Sequence, residues 1–332
     1  MPPLITVIAY ILDSLIGDPQ TWPHPVRYIG KAIDLLEALI RKTLARIKKE
    51  TPVFFIIAGG LMYILVVGLS ALVVILALHY TKSLSLVLYL VVAVYLVFAS
   101  ICLRDLLNHT AKVEERLAAD DIDGARARLS WIVGRDTLPL DTQAIRRAEI
   151  ETLSENFSDG LVAPLFYLGL GGPVLAWIYK ATNTLDSMVG YQNEKFLYLG
   201  RISARADDVL NFIPSRLAAL ILVLAAKILG RDYKNSYSLW RREGSHHSSP
   251  NSGQTEAAMA GALGIFLGGT YSYQGVVYPK PKLNDGGRES TYGDVKACED
   301  MVRVGTILIL ILAIVMESIA LAIFGSSNIL WG

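Results

Sequence analysis

Charge disappears from this chain in three long runs. Residues 53–78 contain no Asp, Glu, Lys or Arg. At about 1.5 Å rise per residue, a helix of that length crosses the roughly 30 Å hydrocarbon core of a bilayer. Residues 84–103 form a second clean run, and residues 80–83 are all that is left to turn between the two, which predicts a tight helical hairpin. Residues 304–325 form a third run with one acid, Glu317. Three other apolar stretches are broken. Residues 3–17 are short and carry Asp13. Residues 161–180 contain Pro164, Gly169, Gly171, Gly172 and Pro173. Residues 209–229 contain Pro214 and Arg216. Segment 257–269 is rich in small residues and too short to span. Irregular backbone at membrane depth is tolerated only where it is buried in protein or lines water, so these breaks point to a cavity.

The polar stretch 104–160 reads as a helical insert. Residues 104–118 have helical periodicity, and Asp120 or Asp121 caps a helix running through Val133. Residues 134–137 break it, and Asp141 caps another helix from Thr142 to about Phe157. No strand pattern or internal repeat is evident. The pattern therefore predicts an all-α, polytopic integral membrane protein with broken or re-entrant helices. It forms one membrane-embedded domain over residues 1–332, with 104–160 as a soluble insert.

Composition agrees: 53% of the 332 residues are hydrophobic and the mean hydropathy is +0.42, while 18% are charged, so much of the chain meets water. A net charge of +1 gives no electrostatic case for nucleic acid. Neither of the two cysteines, Cys102 and Cys298, sits in a bridging or metal-binding pattern. The N-terminus lacks a basic region and a cleavage site, so it does not read as a signal peptide. Lys and Arg crowd 18–52, 104–160 and 230–303, whereas 80–83 holds only Lys82 and the tail after Phe324 holds no charge. By the positive-inside rule this places the polar segments in the cytoplasm, and the 80–83 turn and the C-terminus outside.

Five polar constellations carry the candidate chemistry. Glu151, Glu155 and Asp159 recur every four residues and stack three carboxylates on one helical face, with Asn156 alongside. This is either a site for Mg2+ or a substrate amine, or a solvated face neutralised by Arg146 and Arg147. Lys180, Asn183 and Asp186 form a second group. Asp207, Asp208 and Asn211 among Arg201, Arg205 and Arg216 form a third, suited to Mg2+ and phosphate or to a salt-bridged helix end. Ser249, Asn251, Gly253 and Glu256 mark a loop feeding a helix N-terminus, which is an anion site or an ordinary cap. His246 and His247 next to it have no partner at ligand spacing and read as surface. The rigid loop 17–30 holds Asp18, His24 and Arg27, with His24 as a base, a ligand or a structural group. No phosphate-binding glycine loop, dinucleotide fingerprint or zinc motif is present.

Read together, the motifs G-D-P-x-x-x-P-H-P-V-R at 17–27, G-R-D-T at 134–137, E-T-L-S-E-N-F-S-D-G-L-V-A-P-L-F-Y at 151–167, Y-K-A-T-N-T-L-D-S-M-V-G-Y at 179–191, A-R-x-D-D-V-L-N-F-I-P-S-R at 204–216 and S-P-N-S-G-x-x-E-A-A-M-A-G-A-L-G at 249–264 resemble, in the same order, the cobinamide-phosphate synthase family of cobalamin biosynthesis. The likeness is weakest over 272–300. It implies a ligase: an ATP- and Mg2+-dependent enzyme that joins (R)-1-amino-2-propanol, or its O-phosphate, to a propionate carboxylate of adenosylcobyric acid. The corrinoid is then a substrate. On this resemblance Glu151, Glu155, Asp159 and His24 are the catalytic candidates. Substrate or phosphate binding falls to Asp18, Arg27, Arg135, Asn156, Lys180, Asn183, Arg205, Arg216, Ser249, Asn251, Gly253 and Glu256. Metal binding falls to Asp186, Asp207, Asp208 and Asn211. The partners are the bilayer and these substrates, and a homo-oligomer stays open. The competing classes are a membrane sensor or corrinoid transporter of the same fold, and a Mg2+-dependent prenyl or phosphoalcohol transferase. An enzyme using ATP must open its site to the cytoplasm. The segments 161–180 and 209–229 are therefore expected to be broken or re-entrant.

Overall fold

The structure, a computed structural model, describes residues 1–324 apart from Gln20, Ser248 and Gln274. The placement of the C-terminal tail thus lies outside the described residues. Helices dominate. They are α1 (Pro2–Ile16), α2 (Pro25–Arg46), α3 (Pro52–Leu84), α4 (Leu86–Phe98), α5 (Leu103–Ala118), α6 (Ile122–Leu129), α7 (Thr142–Phe157), α8 (Ala163–Val189), α9 (Arg201–Leu210), α10 (Phe212–Ile228), α11 (Tyr233–Glu243), α12 (Ser252–Leu263) and α13 (Tyr292–Phe324). Four helical stretches are long and apolar enough to cross a bilayer: Pro52–Leu84, Leu86–Ala118, Thr142–Val189 and Tyr292–Ile323. The pair Arg201–Leu210 and Phe212–Ile228, broken at Asn211, makes a fifth candidate. The protein is a helical multi-pass membrane protein. Along α13, Ile307, Ile311, Val315, Ile319 and Ile323 are exposed at four-residue intervals, a stripe that suits lipid rather than water.

The chain divides into two compact units. The first comprises residues 1–101, 163–210 and 310–332; the second comprises 102–162 and 211–309. In the first unit Ile33, Met62, Val66, Leu185, Val189 and Leu199 form a buried cluster. Helix α3 can approach its neighbours because Gly59 carries no side chain: a Cβ there would lie 2.0 Å from the Leu199 carbonyl oxygen. The expected turn at 80–83 is instead the end of α3, and the break falls on Ser85, whose extended backbone (φ −165°) stops the helix. The break expected in 161–180 is present. Gly171 and Gly172 leave helical geometry, Gly172 at φ 64° and ψ −166°, a region open to glycine, with Pro173 directly after. Glu317 is buried on α13 and accepts a hydrogen bond from the Thr6 hydroxyl at 2.6 Å.

In the second unit the expected insert helices form with their caps. Asp121 accepts from the Gly124 N–H and Asp141 from the Ala144 N–H, each at 2.8 Å. Val113, Ala125, Leu129, Ile145 and Ala148 make its core. The helix begun at Asp121 stops at Leu129, earlier than expected. A π-turn over Ser158–Val162 follows α7.

Sequence reading placed no helix over α2 or α11 and found no strand pattern. Strands β1 (Leu267–Tyr273) and β2 (Val276–Leu283) form an antiparallel hairpin, with Tyr271 opposite Tyr278 and a bulge between Leu267 and Gly269. Gly268 (φ 86°) and Gly269 (φ 110°) supply the bulge and Gly275 (φ 78°) the turn. Pro279 and Pro281 hide β2 from a strand search, and a two-stranded ribbon tolerates them because both its strands are edges.

Candidate functional site

The second unit buries a network of alternating charge. It begins on α7, where Glu151 is 6% exposed. One Glu151 oxygen accepts the Gly268 N–H at 2.7 Å. The other accepts the Tyr271 hydroxyl at 2.7 Å and faces an Arg135 nitrogen at 3.0 Å. The Arg135 guanidinium lies over the Tyr271 ring, 4.0 Å from its centroid. From β2, Lys280 reaches Glu256 on α12 at 2.9 Å and passes 5.2 Å from the same ring. The bulge matters here because Gly268 turns its N–H to Glu151, and a Cβ at that position would lie 2.2 Å from the Pro281 oxygen.

Electrostatics follow from burial and pairing. Burial pushes the Glu256 carboxyl up first, Lys280 pulls it down, and Glu151 and Glu155 push it up again, leaving it at about 7. Burial disfavours the Lys280 ammonium, but Glu256, Glu151 and Tyr271 outweigh that and hold it well above its ordinary value. Burial and then the Glu151 charge push the Tyr271 phenol up, so it stays a donor. Burial opposes the Arg135 charge and Glu151 more than restores it.

Beside this network lies a recess of about 290 Å³, lined by Arg135, Arg147, Glu151, Thr270, Tyr271 and Lys282 among others. Arg147 and Lys282 flank the Phe266 ring, at 4.7 and 5.0 Å from its centroid. Arg147 also pairs with Glu289. The recess therefore brings three cations, Arg135, Arg147 and Lys282, together with two carboxylates, Glu151 at its back and Glu289 paired with Arg147.

The ladder expected at 151, 155 and 159 is not a single face. Glu151 turns to Arg135, while the exposed Glu155 accepts the Ser252 hydroxyl at 3.0 Å. The π-turn begins before Asp159 and shifts the register there. Arg146 and Arg147 do not neutralise this row; Arg146 grips Glu114 at 2.9 and 3.1 Å. Asn156 folds back to the Thr152 carbonyl at 3.0 Å. The loop before α12 is as expected, but Asn251 is not a side-chain cap. Its oxygen accepts from Ser215 at 3.2 Å and Arg216 at 3.4 Å. Ser249 accepts the N–H groups of Asn251 and Ser252 at 3.2 and 3.5 Å. Gly253 is required by close packing, since a Cβ would sit 2.7 Å from the Gly244 oxygen. His247, read as surface, is half-buried: its Nδ1 accepts the Ser249 N–H at 3.0 Å. Burial and then the Lys280 charge push it down to about 4, so it is a neutral imidazole.

In the first unit, Arg27 donates to Asp18 at 3.2 Å and to the Trp22 carbonyl at 3.1 Å. His24 lies 3.8 Å from Asp18 and occupies the N-cap position of α2 without a side-chain capping bond. Asn183 donates to Asp207 at 3.3 Å, and Arg205 lies 3.8 Å from Asp208. Lys180 is half-buried on α8, and the Asp186 carbonyl accepts the Gly190 N–H at 2.7 Å. Asn211 lies in the break between α9 and α10. Among the described residues no group of three His, Cys, Asp or Glu side chains converges as a metal site. Tyr271, Lys280, Lys282, Arg147 and Gly268 were absent from the sequence candidates. Arg147 lies on the expected helix α7, where it was read only as neutralising carboxylates; the other four lie in the hairpin, which was not recognised.

The comparisons with known proteins agree with one another. The family model described as "CobD/Cbib protein" matches residues 6–302. The cobalamin biosynthesis protein CobD of Listeria monocytogenes serotype 4b is 45% identical over 280 residues, covering 84% of this chain and 87% of the relative. The CobD of Clostridium perfringens is 41% identical over 313 residues, covering 94% and 97%. The cobalamin biosynthesis protein CbiB of Salmonella typhimurium is 41% identical over 307 residues, covering 92% and 95%. No solved structure matches.

Proposed function

The chain belongs to the CobD/CbiB family, and we propose that it serves cobalamin biosynthesis as an ATP-dependent amide synthase, joining aminopropanol or its O-phosphate to a propionate carboxylate of adenosylcobyric acid. The observation that carries the chemical part of this reading is the cationic recess backed by the Arg135–Glu151–Tyr271 contact. A carboxylate becomes reactive toward an amine when phosphoryl transfer from ATP converts it to an acyl phosphate. The protein's share of that step is to position and neutralise phosphoryl oxygens. Arg135, Arg147 and Lys282 are cations of the right kind, and the Tyr271 hydroxyl and the bulged Gly268 N–H hold Glu151 opposite Arg135.

Mg2+ fits in a limited sense. It needs only one or two protein carboxylates when phosphate oxygens complete its shell. Glu155, exposed and held by a single hydroxyl, is suited to that role. Glu151 is not, because both its oxygens are occupied. The bound metal would supply charge neutralisation on the transferred phosphoryl group. The groups around Asp18 and around Asp207 are assigned to substrate or metal on their residue pattern and on the resemblance. ATP requires the site to open to the cytoplasm.

The test is direct. Purified protein in lipid nanodiscs with ATP, Mg2+, adenosylcobyric acid and either amine should give adenosylcobinamide or its phosphate by mass, with stoichiometric ADP. Absence of product and of corrinoid-dependent ADP with both amines refutes the reading.

A further inference from the structure

We propose that Glu256 is the general base that takes a proton from the substrate ammonium, and that Lys280 is its positioning residue. The inference rests on the amide-synthase reading above and adds to it the group that makes the amine nucleophilic. Glu256 is 1% exposed, and its two oxygens are treated differently. Oε1 accepts from the Lys280 ammonium at 2.9 Å, while Oε2 is buried with no hydrogen-bond partner. An unmade bond on a buried carboxylate is rare and calls for an explanation. A donor that arrives with the substrate supplies one.

The surroundings suit an ammonium. Ser252 and Glu256 are one turn apart on α12 and share a face. Ser252 holds Glu155, which is exposed, and Glu155 is near enough for its charge to act on Glu256. The carboxylates thus run from an exposed member, Glu155, to a buried one, Glu256, with Glu151 beside them on α7. The charged groups acting on Glu256 are Glu151 and Glu155 from α7 and Lys280 from β2. Tyr271 and His247 complete the surroundings: Tyr271 feels the Glu256 charge, and His247 feels those of Lys280 and Glu151. Lys280 is held as a cation, so it cannot itself accept the proton. A base works best with a pKa near the operating pH, and the balance of burial, Lys280, Glu151 and Glu155 sets Glu256 at about 7.

The step balances as follows. The ammonium gives one proton to Glu256 Oε2, and its nitrogen lone pair forms the C–N bond to the acyl phosphate carbon. The C–O bond to phosphate breaks, the bonding pair leaves with phosphate, and the second nitrogen proton departs with it as hydrogen phosphate. Glu256 then releases its proton to water.

Hydroxylamine separates this step from activation, because it is uncharged at neutral pH and captures an acyl phosphate without a base. The full-length protein in nanodiscs is assayed for hydroxamate with ATP, Mg2+ and adenosylcobyric acid, and in parallel for amide with aminopropanol. Glu256→Gln should keep hydroxamate formation within about threefold and lose amide formation by about 10²-fold or more, the size of a general-base effect. Its residual rate should climb with pH as free amine accumulates. Lys280→Met should move the acid limb of the kcat/KM profile to higher pH, and Lys280→Arg should restore it. No hydroxamate from the unsubstituted protein refutes the amide-synthase reading itself. Hydroxamate with undiminished amide formation in Glu256→Gln overturns the base assignment alone, as does loss of both activities together. An unmoved acid limb in Lys280→Met overturns the role of Lys280.

Discussion

Glu151 and Glu155 are one helical turn apart, and the structure makes opposite predictions for them. Glu151→Gln preserves shape but removes a buried charge that faces Arg135 at 3.0 Å and accepts from Gly268 and Tyr271 at 2.7 Å. The substituted amide has one acceptor oxygen for three donors and turns its own N–H groups toward some of them. Removing one partner of a buried pair typically costs about 3–5 kcal/mol. In a unit of this size each kcal/mol is worth about 2–4 °C, so the apparent Tm should fall by roughly 6–20 °C. Glu155→Gln loses one exposed contact, to Ser252 at 3.0 Å, and should cost less than about 1 kcal/mol. It should nonetheless abolish turnover if Glu155 receives the metal or the amine. Thermal unfolding in nanodiscs, paired with the amide assay, reads both. Equal Tm values for the two variants would refute the structural argument, and near-normal turnover in Glu155→Gln would refute the functional one.

Three further outcomes follow from particular residues. His247 has its pKa depressed from 6.5 to about 4, so the fold binds it neutral. The stability it contributes is fully present above pH 6.5 and is lost as pH falls toward 4. The term is on the order of 3 kcal/mol, and His247→Gln should flatten the acid side of a Tm-against-pH curve. Gly172→Ala places a Cβ at φ 64° and ψ −166°, a region essentially reserved for glycine, and should lower stability by about 1–3 kcal/mol, whereas Gly68→Ala, in open space on α3, should not, as parallel melts would show. Single cysteines at Ser187 and Glu194, both exposed, in a background lacking Cys102 and Cys298, should resist an impermeant thiol reagent added outside intact cells; labelling from outside would reverse the proposed orientation.

The membrane elements were legible because the bilayer imposes a length and a composition, and few alternatives satisfy both. Caps at Asp121 and Asp141 were legible because their hydrogen bonds close within three residues. The glycine-proline break at 171–173 was legible because it needs backbone geometry that other residues avoid. The hairpin was not, since Pro279 and Pro281 contradict a strand signal and only the pairing of β1 with β2 overrides them. With it went Tyr271 and Lys280, whose partners lie 120 and 24 positions away in the chain. The carboxylate ladder failed for a related reason: helical spacing aligns side chains only while the helix stays regular, and the π-turn intervenes before Asp159. Resemblance to a family could not say that Glu151 is tied to the fold while Glu155 is exposed and held by one hydroxyl.

The charge pattern explains how such a site can take an anion without a penalty when empty. The inner groups cancel: Arg135 and Lys280 face Glu151 and Glu256, and both acids are buried. Their charges balance, and the polar atoms left there without a hydrogen-bond partner are Arg135 Nε and Glu256 Oε2. The outer cations are compensated differently. Arg147 pairs with Glu289, whose side chain is 52% exposed, and Lys282 lies 3.4 Å from Asp285, which is 77% exposed. Exposed pairs contribute little and exchange readily for other partners. A phosphate entering the recess would therefore displace two weak surface acids into water and gain two cations, while the inner network keeps the geometry. Substituting Glu289 by Gln should then tighten nucleotide binding, because it removes the competitor without touching the buried charges. Weaker binding in that variant, measured by equilibrium titration, would show that Glu289 holds the recess open rather than competing for it.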